Sequence, residues 1–226
     1  KSLCTTNLPD PTIADGSTAF DAVTYSGNGT TQTITGINHS PDFVWIKCRN
    51  DSVGHQLFDQ VRGAGKSLLS NTTEAERTNH IYGYLSAFTS DGFTVTAGSS
   101  DDFEVNGSTE TYVAWNWDGG TSTASNTDGS ITSNVRANAS AGFSIVEYTG
   151  NATNSTVGHG LNAAPELIII KLREAASGWA VYHDAIGTST QNYIELQSTA
   201  VAAQDNTAFQ NTAPTSSVFS IGTKAA

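Results

Sequence analysis

The sequence has no methionine, only two cysteines, and few charged residues, 14% of the chain. Two thiols, Cys4 and Cys48, cannot build the disulfide framework of a small secreted scaffold. No apolar run approaches the roughly 18 residues that a transmembrane helix needs. Because the chain starts at Lys1 and lacks methionine, we expect it to be a processed product or a piece of a longer polypeptide.

Basic residues are scarce. Ten Lys and Arg stand against 21 Asp and Glu, which gives a formal net charge of −11 and a pI near 4.6. Affinity for nucleic acids rests largely on Lys and Arg, so such a surface repels a phosphate backbone, and it repels anionic lipid headgroups for the same reason. We therefore expect no nucleic-acid partner and no membrane insertion.

Small polar residues and strand-forming residues take the place of the missing charges. Ser, Thr, Asn and 21 glycines separate short runs of Val, Ile, Phe, Tyr and Trp. This mixture is typical of short strands joined by tight turns, and it predicts an all-β fold. A chain of 226 residues is long enough for one large or two modest domains, each with its own core.

An internal repeat is visible in two Pro-led segments, "PDFVWIKCR" from Pro41 and "PELIIIKLR" from Pro165. Around them, a series of landmarks recurs in the same order. These landmarks are Phe20 and Phe143, Tyr25 and Tyr148, Gly36 and Gly160, Lys47 and Lys171, Arg49 and Arg173, and "SDGFTV" and "SSVFSI". The period is too long for a solenoid repeat of about 20 to 50 residues. We infer a tandem duplication of a whole domain.

The repeat predicts two tandem antiparallel β-sandwiches of the jelly-roll or concanavalin-like kind. Their expected bounds are 20–120 for the first copy and 143–226 for the second. Residues 1–19 then form an extended N-terminal arm, and residues 121–142 form a linker with one strand around 130–135. The Pro-led strands are apolar on both faces, which indicates central strands covered on both sides.

The second copy is incomplete. After "SDGFTV" the first copy continues into "FEVNGSTETYVAWNWDGG", whereas after "SSVFSI" the second has only "GTKAA". The second sandwich therefore lacks its last strand, which would leave apolar core and backbone groups uncovered at the sheet edge beside Phe219 and Ile221. We expect the strand to come from polypeptide beyond Ala226 or from a neighbouring subunit, with the arm at 1–16 as one candidate donor.

Two further local predictions follow from the sequence. The segment "NTTEAER", Asn71 to Arg77, has capping residues and is predicted to form one short helix. Cys48 stands where the other copy has Leu172, so we read it as a small buried hydrophobe. We therefore expect both cysteines to be reduced rather than bridged.

No constellation of catalytic residues is recognisable. The five histidines lack metal-ligand spacing, and His159 in "VGHGL" is interpreted as a residue that bonds its local backbone. "RGAGKS" lacks the first glycine of a phosphate-binding loop and is taken as a polar turn. Asp101, Asp102 and Glu104 form the densest acidic group, in a loop that favours an acidic turn over a catalytic pair. We expect no enzyme activity, no catalytic residue, no cofactor and no metal site.

Aromatic residues are the remaining candidates for binding. Trp45 lies in a predicted central strand and is interpreted as core. Trp179, Tyr182 and His183 in "WAVYHD" lie close to a strand end and are the best candidates for a ligand surface, with core packing as the alternative for these positions.

The amino-acid sequence of the repeat resembles that of a known family. "LFDQVRGAGKSLLSNTTEAE", "TYVAWNWDGG" and "NTDGSITSNVRANASAGFSIVEYTGNATNSTVGHGL" resemble a duplicated domain of unknown function found in virion proteins of marine tailed phages, cyanophages among them. In those proteins the domain often follows a SPRY module, whose trailing segment is similar to "LCTTNLPDP" here. The resemblance implies a lectin-like sandwich in a tail fibre or related virion protein, and it carries no established catalytic residues.

The function expected from this resemblance is that of a non-enzymatic structural or adhesion protein on the surface of a tailed-phage virion. Its expected partners are other virion subunits or copies of itself in a homo-oligomer, together with host-surface glycans. Two alternatives stay open: a secreted bacterial module that binds or hydrolyses carbohydrate, and a subunit of an extracellular filament joined by strand exchange. Two facing carboxylates about 5 to 9.5 Å apart in a cleft would indicate the hydrolase.

Overall fold

The computed structural model describes residues 13–100, 103–186 and 192–224. Within these residues it contains 18 β-strands, one 3-10 turn at Gly16–Thr18 and one short helix, α1, at Asn206–Phe209. Every ladder between named strands is antiparallel. The prediction of an all-β fold built from antiparallel sheets is confirmed.

The first half of the chain forms two sheets that face each other. Their strands are β1 (Phe20–Ser26), β2 (Thr31–Thr35), β3 (Phe43–Cys48), β4 (Gln56–Asp59), β5 (Lys66–Leu69), β6 (Arg77–Thr78), β7 (Tyr84–Thr89), β8 (Gly92–Thr96) and β9 (Thr111–Trp117). The larger sheet has the order β1-β9-β3-β4-β5-β6, and the smaller has the order β2-β8-β7. Exposed and half-buried residues alternate along β1, as expected for a strand with one face toward the core and the other toward solvent.

The core of the first half lies between these two sheets. Val44 and Ile46 from β3 meet Tyr112 from β9 and Phe93 and Leu85 from the smaller sheet, all fully buried. The residues that point inward are spaced two apart on each strand, as a sandwich requires. Cys48 belongs to the same core and is a free thiol, as expected, whereas Cys4 lies outside the described residues.

The second half also forms facing sheets, with shorter ladders. Its strands are β10 (Ala124–Asn126), β11 (Ser133–Asn138), β12 (Phe143–Tyr148), β13 (Ser155–Gly158), β14 (Leu167–Lys171), β15 (Trp179–His183), β16 (Asn192–Glu195), β17 (Ala203–Gln204) and β18 (Val218–Ile221). The sheet orders are β10-β11-β12, β14-β15-β16-β17 and β13-β18. Val157, Phe219 and Ile221 of the β13-β18 pair pack against half-buried side chains of β12 and β14.

The two halves use corresponding pairings. The ladders β2–β8, β3–β4 and β4–β5 of the first half recur as β13–β18, β14–β15 and β15–β16 in the second. Ile34 opposes Phe93 in the first half, and Val157 opposes Phe219 in the second. These pairings are what a tandem duplication predicts, and the duplication itself stays a prediction.

Two local predictions differ from the structure. Residues 71–77 form no helix; they run as a turn followed by extended chain into β6. The side chains of Glu74 and Glu76 bond arginines instead of closing a helix cap, and backbone bonds tie this segment to the second half. The linker 121–142 contains two strands, β10 and β11, and the one predicted around 130–135 begins at Ser133.

The halves also contact each other directly. The ring of Phe143 stacks on Trp117 at 5.8 Å and meets Phe43 edge-on. Arg136 of β11 forms an ion pair of 2.7 Å with Asp42, which is completely buried at the start of β3. Side chains of β12 and β15 therefore cover part of the outward face of the larger sheet of the first half.

Candidate functional site

The structure places the three predicted ligand residues in different surroundings. Trp179, Tyr182 and His183 all lie on β15, but Trp179 and His183 share one face while Tyr182 points to the other. The three side chains are therefore not brought together into one binding surface.

Trp179 lies at the contact between the halves. Its side chain is 3% exposed and packs with Leu57 and Leu68. The indole Nε1–H donates to the carbonyl oxygens of Leu69 and Thr72, both at 3.0 Å. This residue serves the packing of the molecule, which was the alternative reading of the sequence.

Tyr182 and His183 differ in exposure. Tyr182 is buried with Tyr193 and Phe209 in the core beside α1. The imidazole of His183 is 43% exposed, and its Nδ1 lies 3.0 Å from a carboxylate oxygen of Asp184. Of the three candidates, His183 alone offers an accessible side chain.

The buried carboxylates are bonded to arginines. Glu104 accepts from the Arg77 guanidinium at 2.9 Å and also bonds the Gln56 amide; Asp101 and Asp102 lie outside the described residues. Burial raises the pKa of Glu76, but bonds and charge from Arg62 and Arg173 outweigh it and lower that pKa overall. Both carboxylates lie in ion pairs with arginines, which suits a structural network.

No other chemistry-bearing cluster stands out in the described ranges. Among residues 13–100, 103–186 and 192–224, no group of three His, Cys, Asp or Glu residues could hold a metal ion. A shallow hollow of about 200 Å³ is lined by Thr24, Tyr25, Ser26, Arg49 and Thr111. None of the helices in the described part of the chain is long and apolar enough to cross a membrane.

The most unusual feature is an interrupted sheet in the second half. In the first half, β9 lies between β1 and β3 and pairs with both along their length. In the second half, β12 pairs only with β11, and β14 pairs only with β15; no described strand lies between β12 and β14. We call this interruption the open slot, bounded by Phe143–Tyr148 and Leu167–Lys171.

The burial of the flanking residues reflects the open slot. Val44 and Ile46, which β9 covers in the first half, are 0% exposed. Their aligned counterparts Ile168 and Ile170 are only half-buried. On the outward face, Leu167 is 53% exposed and Ile169 is 42% exposed. The second sheet thus presents apolar side chains beside two strand edges that no described strand pairs. Phe219 and Ile221, beside which the sequence predicts the gap, are themselves buried.

Comparison with known proteins supplies a family. None of the curated proteins matches the chain, and none of the solved structures does. One family, described as a domain of unknown function (DUF7483), matches residues 15–226. Because the match spans almost the whole sequence, including both halves and the open slot, the chain belongs to the DUF7483 family.

Proposed function

We propose that this chain is a non-enzymatic structural or adhesion protein on the surface of a tailed-phage virion, in a tail fibre or another appendage. The observation that carries the proposal is the open slot, where two strand edges and exposed aliphatic side chains face the same opening. Proteins avoid exposed sheet edges unless something covers them, because such edges pair with other chains. A subunit that is completed by a neighbour in an assembly satisfies this requirement.

The sequence supports the same role. The long segments that resemble marine-phage virion proteins run through both halves, and the net charge of −11 favours protein or glycan partners over nucleic acid. Other virion subunits or copies of this chain are the proposed partners. Host-surface glycans are the second class, with the exposed imidazole of His183 as the accessible group on β15.

A second candidate is a subunit of an extracellular filament. The same open slot favours it, because strand exchange between sandwiches builds such filaments. The two candidates differ in where the protein resides, so its location decides between them.

The experiment is immunogold labelling with antibodies raised against the purified chain, applied to intact phage particles and to host cells of the source culture. Gold on a tail appendage or head surface is the expected result. Gold on particle-free filaments would support the second candidate, and gold on neither structure would contradict both. A parallel incubation with host polysaccharide should show no depolymerisation. Depolymerisation that disappears on replacing an acidic pair would contradict the non-enzymatic role.

A further inference from the structure

Strand β9 of the first half is a template for the strand that would fill the open slot. In the first half, the seven residues of β9 run antiparallel to both β1 and β3, from Thr111 beside Ser26 to Trp117 beside Phe20 and Phe43. The flanking strands therefore do not pair with each other; they are joined through β9. Of the corresponding strands in the second half, β14 pairs with β15 as β3 pairs with β4, and β12 pairs with β11 on its other edge; nothing lies between β12 and β14 in the described chain.

The template also shows what the slot requires on its inner side. Tyr112 and Ala114 of β9 point inward and are completely buried, and Tyr112 stacks on Tyr25 at 5.0 Å. A strand in the slot would lie beside Ile168 and Ile170, which are only half-buried although they pack against both core clusters of the second half. Apolar or small residues at alternate positions are needed there, because these contacts exclude water.

The outer side of the slot continues into the contact between the halves. Phe143, at one end, stacks on Trp117. Arg173, at the other end, bonds Glu147 across the opening and Glu76 of the first half. A bound strand would therefore extend an interface that already exists, with apolar residues such as those of β9 facing outward near Leu167.

One charge at the edge of the slot is uncompensated. The Lys171 ammonium donates to the Leu172 carbonyl oxygen at 2.7 Å, and burial lowers the pKa of Lys171. No ion pair joins it to a carboxylate of residues 13–100, 103–186 or 192–224. By the register of the first half, where Lys47 opposes Val113, a carboxylate at the Val113 position would lie next to this ammonium.

We propose that the open slot is a strand-acceptor site, which binds an extended segment of another polypeptide with the chemistry of β9. The donor alternates apolar and aromatic residues, pairs antiparallel with β12 and β14 together, and carries an acidic residue at the position that meets Lys171. Every strand in the described part of the chain already has a place in a sheet, so none of these strands is free to act as the donor. Binding by strand addition supplies affinity from backbone bonds and specificity from alternate side chains.

The first test measures binding to the whole chain. The probe is a fluorescent peptide with the sequence of residues 110–118, "ETYVAWNWD", titrated with the protein. Saturable one-to-one binding is expected, and replacing Ala114 in the peptide by Pro should weaken it about tenfold or more, because proline removes a backbone donor. A Val113→Glu peptide should bind more tightly than a Val113→Lys peptide, although the protein is acidic overall.

The second test fixes the register. In a Cys4→Ser background, where Cys48 is buried, Ile169 is replaced by Cys. The aligned residue Trp45 opposes Trp115 in the first half, so a Trp115→Cys peptide should form a disulfide with Ile169→Cys under mild oxidation. A Thr111→Cys peptide is the matched control. Its thiol lies on the same face but about 13 Å along the strand, too far for a bridge.

The outcomes are distinct. Saturable binding with register-specific crosslinking supports the site. Absence of binding, equal binding of the Pro peptide, or equal crosslinking of both cysteine peptides overturns it. If the chain alone self-associates and the peptide cannot compete, a second copy fills the slot and the β9-like donor is wrong. The strand-acceptor site rests on the proposed role of the chain in an assembly. The two proposals are nevertheless tested separately, because peptide binding and particle labelling can each fail while the other succeeds.

Discussion

At the scale of single residues, Trp179 shows how an aromatic side chain that is a sugar-binding candidate by sequence becomes a packing element. Its indole fills a site between Leu57 and Leu68 and donates to two carbonyl oxygens of the first half. We predict that Trp179→Phe lowers the free energy of unfolding by about 1 to 3 kcal/mol, because buried acceptors lose their donor. Urea unfolding measures this, with Trp45→Phe as the control.

Trp45 is a suitable control because it lies in the same cluster, and its described ring contact is with Trp115, at 6.1 Å. A phenyl ring retains much of that apolar contact, so the control should lose less stability. Equal losses in the two variants would mean that the indole hydrogen bonds of Trp179 contribute nothing beyond packing.

His159 is a buried residue whose ionisation opposes folding. It is 2% exposed; its Nδ1 accepts from the Leu161 amide, and its Nε2 lies 3.2 Å from the Thr215 carbonyl oxygen. Burial lowers the pKa of His159, although the bond to Thr215 raises it in part. The unfolded state, with a pKa near 6.5, therefore binds more protons than the folded state as the pH falls below about 6.5.

The expected consequence is a stability that is complete above pH 6.5 and is lost as the pH falls through the lowered pKa of His159. Urea unfolding at several pH values should show this slope, and His159→Asn should reduce it. Part of the slope should remain in the variant, because burial also lowers the pKa of His55 and His80. An unchanged slope in His159→Asn would contradict the assignment.

Asp42 and Arg136 form a buried ion pair between the halves. Asp42 also accepts from the amide of Gly119 at 2.8 Å, and burial raises the pKa of Asp42 despite the nearby guanidinium. Asp42→Asn or Arg136→Met alone should cost about 3 to 5 kcal/mol, because each leaves a partner buried without its counter-charge. The double variant should cost less than the sum of the two single variants. Additive losses in this double-mutant cycle would show that the pair is not coupled.

At the scale of elements, the sequence predicts best where one periodicity dominates. The alternation in "FDAVTYS" and "FSIVEYT" and the apolar Pro-led runs correspond to β1, β12, β3 and β14. Capping residues at 71–77 mislead because Glu76 forms its bonds with Arg62 and Arg173, a tertiary arrangement that local propensity does not contain.

Binding-site prediction was weaker for a related reason. The aromatic content of "WAVYHD" is visible in the sequence, but the surfaces that cover Trp179 and Tyr182 come from β4, β5 and α1, far away in the chain. The exposure of these side chains therefore could not be predicted from the six residues of this segment. The comparison of the two repeats indicates that the second copy lacks a strand, but it does not locate the gap. From the sequence we expect the gap beside Phe219 and Ile221, whereas the interruption lies between β12 and β14.

Matched strands of the two halves should differ in hydrogen exchange. β3 lies between two neighbours, whereas β14 has one, so about every second amide of β14 faces the open slot. The amide of Arg49 bonds Thr111 next to β9, and the carbonyl oxygen of Glu166 accepts from Asp184 next to β15, so the odd-numbered residues of both strands face β9 or the slot. We predict faster exchange in β14 than in β3, measured at Ile169 and Lys171 against Trp45 and Lys47. Equal protection in the free chain would mean that the slot is covered in solution.

At the scale of the whole molecule, the two halves differ in how completely their sheets and cores are formed. The first has a closed core in which β9 joins the sheet, while the core of the second is divided between two smaller clusters that both pack against Ile168 and Ile170 of β14. Sequence comparison predicts the composition of each half, but it does not predict how the second half packs on the outward face of the larger sheet of the first. That arrangement depends on single contacts such as Phe143 on Trp117.

A strand supplied in the same chain should complete the second half. We predict that a copy of residues 97–118, which lead from β8 through β9 in the first half, stabilises the protein when it is appended after Ala226. The slot would then be filled at a high effective concentration, and more apolar surface would be buried on folding. For a chain of this size, each kcal/mol gained raises Tm by about 2 to 4 °C.

The measurement is thermal and urea unfolding of the extended chain, with hydrogen exchange at β14 as the local readout. The control carries the same extension with Pro at the Ala114 position, which has the same length and charge but cannot complete the ladder. A higher Tm, a larger urea m-value and slower exchange in β14 are expected for the extension without Pro, since m-values grow with the surface buried. If both extensions behave like the original chain, an appended strand does not enter the slot. If both stabilise it equally, the gain comes from the added length rather than from pairing with β12 and β14.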